Sequence, residues 1–98
     1  MTLRVRPAVE ADLEAVVASE TDNLGVDAWS PALVVPGVRG EVPHAHYLVA
    51  DLSGVVVGHA VVSVVVDVAE LQRIAVSASA RRSGVASALL EECVALAR

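Results

Sequence analysis

Apolar and polar positions change period several times along the chain, and each change predicts an element. Leu3 and Val5 alternate with Arg4 and Arg6 until Pro7, the period of two of a half-buried strand. From Val9 the spacing turns helical: Val9, Leu13, Val16 and Val17 share a stripe, and Glu10, Asp12 and Glu14 sit in the first turn, where the helix dipole favours anions. Neither Ala8 nor Val9 offers a side-chain cap. Residues 21–25 read as a loop, and Ser30 followed by Pro31 predicts a second helix, kept short by Pro36, Gly37 and Gly40. Residues 47–51 read as a strand, 52–54 as a tight turn and 55–67 as a long β-branched strand, in which Gly58 marks a bulge or a close backbone approach. Residues 71–76 predict a further strand and 77–83 a loop. From Gly84 a last helix places Ala86, Leu89, Leu90, Cys93, Leu96 and Ala97 on one stripe, with Ser87, Glu91 and Glu92 opposite. This order predicts an α/β or α+β domain, a sheet with helices packed on its faces.

Composition narrows the picture. The 98 residues make one domain at most, and a chain of this size buries only about 60–65 % of its unfolded surface. Apolar residues are 55 % of the chain, enough for a core, though without any Phe. A formal charge of −5, with all seven basic residues arginine, argues against a general nucleic-acid binder. The single cysteine, Cys93, permits no intramolecular disulfide, and no signal-like segment opens the chain, so the expected compartment is the cytoplasm. The apolar run 55–66 is too short for a membrane span.

The chemistry concentrates where the last strand meets the last helix. Arg81-Arg82-Ser83-Gly84-Val85-Ala86 sets a glycine where backbone must approach a ligand closely, then opens a helix whose first amides lack internal partners and carry the positive dipole end. A diphosphate ligand is implied. A Walker A loop is excluded because the chain has no lysine, and a dinucleotide fingerprint because G-x-G-x-x-G is absent.

The same six residues resemble the acetyl-CoA-binding motif Q/R-x-x-G-x-G/A of the GNAT N-acetyltransferases, and they do so in context. The tripeptide Ile74-Ala75-Val76 precedes the motif, and Ser87-Ala88-Leu89-Leu90-Glu91 follows it, as in that family. Asp27-Ala28-Trp29-Ser30 and Ala69-Glu70-Leu71 are similar to the bacterial branch that acetylates the N-terminal alanine of a ribosomal protein. The resemblance covers essentially the whole chain, residues 1–98, with the acetyl-CoA motif at 74–90. It implies a mixed, mostly antiparallel sheet with helices on both faces. Ile74, Ala75 and Val76 would pair through their backbone with the pantetheine arm, and one of their amides would polarise the thioester. Arg82, Ser83, Gly84, Val85, Ala86 and Ser87 would hold the diphosphate through backbone amides, with Arg81 and Arg82 adding charge. Acetyl-CoA would be the co-substrate, with no metal, and a primary amine the acceptor, foremost a protein N-terminal α-amine.

Glu70 is the candidate general base, set against the plainer reading of a solvated charge near a strand end. Trp29 either lines the acceptor groove or anchors its loop to the core. The family fold continues with another strand, a helix and a closing hairpin, so the chain is expected to be its N-terminal two thirds. A shortened, non-catalytic CoA-binding or interaction module is the alternative, with self-association through the exposed sheet edge. His44 and His46 have no third ligand at suitable spacing, and Cys93 reads as a packing residue.

Overall fold

A computed structural model describes residues 2–98. The strands are β1 (Leu3–Pro7), β2 (Ala45–Leu52), β3 (Val55–Val65) and β4 (Val68–Val76), and the helices α1 (Leu13–Leu24), α2 (Pro31–Val38) and α3 (Val85–Leu96). The four strands form one antiparallel sheet in the order β1-β2-β3-β4. Alternation divides its side chains between two cores. Leu48, Ala50, Ala60 and Val62 face α3, meeting Val85, Leu89 and Cys93. Tyr47, Val49 and Val61 face α1 and α2, meeting Val16, Val34 and Val38. The expected architecture, a sheet with helices on both faces, is what forms. Among the described residues no helix is long and apolar enough to cross a membrane.

Several boundaries differ from expectation, each for a local reason. Residues 10–12 form a 3-10 turn, tied by the Val9 amide donating to the Asp12 carboxylate at 2.8 Å. The helix that follows runs through residues 21–24, read above as loop, because Thr21 and Asn23 donate back to the Val17 and Ser19 carbonyls. Pro36 and Gly37 lie inside α2 rather than ending it. Gly37 fits there because a Cβ would fall 2.3 Å from the Tyr47 ring.

The strand read over 55–67 ends at Val65. Val65 pairs with Val68 across a two-residue turn at Val66 and Asp67, so the next strand begins at Val68 and not at 71. Val66 takes a left-handed φ of 54°, a conformation that nothing in a β-branched run announces. The stripe expected on α3 is also narrower. Val85, Leu89 and Cys93, spaced four apart, are its buried residues, whereas Ala86, Leu90, Leu96 and Ala97 are exposed.

Two register shifts shape the sheet. Ala50 pairs with Gly58 and Asp51 with Val56, which leaves Val57 as the extra residue beside the glycine expected to mark a bulge. The close approach is present too, since a Cβ on Gly58 would lie 2.7 Å from the Ala75 carbonyl oxygen. On β4, Arg73 pairs with Val61 and Leu71 with Val62, so Gln72 is an extra residue.

Candidate functional site

Two left-handed residues set the loop between β4 and α3. Arg82 has φ 67° and Gly84 φ 83°, and Gly84 is the N-cap of α3. Glycine adopts this conformation without the Cβ clash other residues meet. The Ala88 amide bonds back to the Gly84 carbonyl at 3.0 Å, so the amides of Val85, Ala86 and Ser87 belong to the first turn, which a helix leaves without internal acceptors. Val76, Ala80, Arg81, Arg82, Gly84, Val85, Ala86 and Ser87 line a hollow of about 200 Å³ at this helix end. The Ser83 hydroxyl turns back to donate to the Ala80 carbonyl, bracing the loop. Arg81 is braced as well: its Nε donates to the Val76 carbonyl at 3.0 Å, and its Nη2 reaches Asn23 Oδ1 at 3.5 Å. Arg82 is exposed.

Ile74, Ala75 and Val76 pair on one side with Ala60, His59 and Gly58. Among the described residues β4 is an edge strand, so its other backbone edge is open to an extended ligand.

Farther along β4 lies a second hollow, also about 200 Å³, lined by Trp29, Leu33, Val42, Ala45, Tyr47, Val61 and Gln72. Trp29 packs against the Val16–Tyr47 cluster and also walls this hollow. One strand thus touches both hollows, through Val76 at one and Gln72 at the other, roughly 13 Å apart at the usual rise of a strand. Glu70 is exposed, opposite Ser63, and lines neither hollow. Among the described residues no three His, Cys, Asp or Glu side chains gather as a metal site. Cys93 is buried against the sheet, and burial first, then Glu92, pushes its thiol pKa up.

A polar cluster beneath Trp29 escaped the sequence reading. Glu20 and His59 are 0 % exposed. Glu20 accepts from the Trp29 amide (2.8 Å), from Arg73 Nη2 (2.7 Å) and Nε (3.3 Å), and pairs with His59 Nε2 (2.7 Å). His59 Nδ1 meets the Ser19 hydroxyl at 2.6 Å. Burial alone would raise the Glu20 pKa, but the bonds from Arg73, the Trp29 amide and His59 outweigh it and hold the carboxyl below its ordinary range. Burial pulls the His59 pKa down against the opposing pull of Glu20. A neutral imidazole donating through Nε2 and accepting from Ser19 through Nδ1 satisfies every partner. The available signal was Glu20 itself, four residues after Val16 on an otherwise apolar stripe, and His59 inside a valine-rich strand.

Comparison with known proteins follows the same lines. Residues 11–98 match the family described as acetyltransferase (GNAT). Among solved structures, the ribosomal-protein-S18-alanine N-acetyltransferase from Escherichia coli superposes with a TM-score of 0.83 at 23 % identity, over 98 % of this chain and 59 % of that one. Ard1 from Thermoplasma volcanium gives a TM-score of 0.80 at 27 % identity, over 100 % of this chain and 65 % of that one. The PaiA N-acetyltransferase from Thermoplasma acidophilum, solved with coenzyme A, gives 0.75 at 15 % identity, over 99 % and 72 %. The chain therefore spans about three fifths of the length of the Escherichia coli enzyme. No curated protein sequence matches it.

Proposed function

The chain belongs to the acetyltransferase (GNAT) family, and from that premise we propose that it serves acetyl transfer from acetyl-CoA to a primary amine, foremost a protein N-terminal α-amine. The observation that carries this reading is the open edge of β4, which joins a hollow at a helix N-terminus to an apolar hollow walled by Trp29. The diphosphate would rest on the amides of Val85, Ala86 and Ser87, where the dipole end favours negative charge, with Arg82 adding its guanidinium. Arg81 would act by bracing the loop rather than by direct contact, since both its bonds point to protein. Ser83 and Gly84 shape the cradle.

The pantetheine arm would lie along Ile74, Ala75 and Val76 as an added strand, and a free amide there would donate to the thioester oxygen as negative charge develops on it. The amine nitrogen attacks the carbonyl carbon, the carbon–sulfur bond breaks, CoA leaves as the thiolate, and the amine's proton is released. Glu70 would receive that proton through water, from its place four residues before Ile74 on the same strand. Holding amine and thioester together supplies most of the acceleration.

Isothermal titration of the chain with acetyl-CoA tests the donor side, and mass spectrometry of an alanine-leading peptide tests the acceptor side. Saturable binding is expected, weakened at least roughly tenfold in Gly84→Asp, where a carboxylate meets the diphosphate. Equal binding by the parent and a folded Gly84→Asp would remove the cradle from this account.

A further inference from the structure

We propose that Glu20 and Arg73 are positioning residues for the acceptor: they clasp the loop carrying Trp29, and so set how tightly the amine-bearing substrate is held without touching donor binding. The inference rests on reading the Trp29 hollow as the acceptor side.

The clasp is built at three points. The Trp29 amide donates to Glu20 Oε1 at 2.8 Å, Arg73 Nη2 donates to the Asp27 carbonyl at 2.6 Å, and the Arg73 guanidinium lies 4.6 Å from the Trp29 ring centroid. Backbone on both sides of Ala28 and the indole itself are thereby fixed to α1 and β4. The rest of this loop has little to hold it. Its 3-10 turn, Gly25–Asp27, buries no residue, and Val26 is fully exposed.

Such a clasp is an expensive way to pack a core. Removing a carboxylate and a guanidinium from water is costly, and apolar side chains of equal volume would often be as stable. What the polar arrangement adds is direction, because a planar guanidinium can hold a carboxylate, a carbonyl and a ring face in one geometry only. His59 and Ser19 complete it by orienting the carboxylate from below. Arg73 is also the residue next to Gln72, which lines the hollow, so the same irregularity in β4 supplies both the clasp and part of the hollow's lining. Position of the wall and shape of the hollow are therefore set together.

Trp29 is the only tryptophan in the chain, which makes it a direct optical reporter. Arg73→Lys keeps the charge but cannot reach carboxylate, carbonyl and ring together, and Glu20→Gln keeps the volume while removing the charge. In whichever variant retains the parent's circular dichroism, Trp29 emission should shift to the red and acrylamide quenching should rise about twofold or more. The acceptor KM should rise about 3- to 10-fold, with kcat and the calorimetric affinity for acetyl-CoA within about twofold of the parent. Unchanged quenching in a folded variant overturns the clasp. A loss of acetyl-CoA affinity matching the loss in acceptor KM overturns the separation of roles. Should the parent transfer no acetyl group, the fluorescence comparison still decides the clasp, while calorimetry on the parent decides the donor reading independently.

Discussion

Among the buried groups that titrate below neutrality, folding moves the pKa values of Asp12, Glu20 and His59, and all three move down. The hydrogen bonds from Arg6 (2.8 and 3.1 Å) hold the Asp12 carboxyl low against its burial. For Glu20 burial pulls upward and is outweighed by Arg73, the Trp29 amide and His59, and for His59 burial itself lowers the pKa. A folded pKa below the unfolded one means that the unfolded chain binds more protons on acidification, so stability is full above the unfolded value and falls as pH drops through the folded one. His59 begins to cost stability below its ordinary 6.5, and Glu20 and Asp12 below their ordinary 4.5 and 3.8. The thermal midpoint should hence be level near neutrality and decline in two stages toward acid. A midpoint that stays level from pH 7 to pH 4 in a scanning calorimeter would contradict the burial of this cluster. Legibility in the sequence divides at this scale. The loop and helix start from Arg81 to Ala86 were readable because such a feature is local, held in six consecutive residues. The cluster was not, because Glu20 meets His59 39 residues away and Arg73 53 residues away, and no period connects them.

At the scale of elements, strands and helices were readable wherever punctuation was strong. Ser53 and Gly54, with φ 52° and 92°, form the turn that their residue types predict. Val66 forms one that they do not, which is why the first strand was read two residues too long and the next one three residues too late. The apolar stripe of α3 was read too wide because Leu90 and Leu96 are apolar without being buried; the register of helix on sheet is settled by Gly58, over which Val85 and Leu89 sit. A methyl at Gly58 would stand 2.7 Å from the Ala75 carbonyl oxygen, and 3.4 and 3.5 Å from Val85 Cγ1 and Leu89 Cδ1. Gly58→Ala should therefore force β3 from β4, lowering stability by about 1–3 kcal/mol. Urea unfolding measures this directly, and a variant as stable as the parent would show that the two strands yield more easily than their register implies.

The molecule as a whole hides less than its elements could. Among the described residues, Leu90 and Val94 on α3 are 43 % and 52 % exposed, and Val66, Val68 and Leu71 add apolar surface along the edge strand β4 and the turn before it. Open edges and apolar faces favour association, so multi-angle light scattering on the 98-residue chain should give a mass above the 10.1 kDa monomer. A single monomeric peak with a cooperative melt would show that this surface is tolerated in water. Gln72 carries a consequence for the whole sheet that is a matter of counting. Side chains on a strand change sides at every step, so Glu70 and Arg73, three apart, would face opposite ways on a regular strand. The extra residue makes the interval even: Glu70 lies opposite Ser63 and Arg73 opposite Val61, both on the side of α1 and α2. One inserted residue thus acts as a parity bit for the carboxylate, deciding on which of the sheet's two faces it stands.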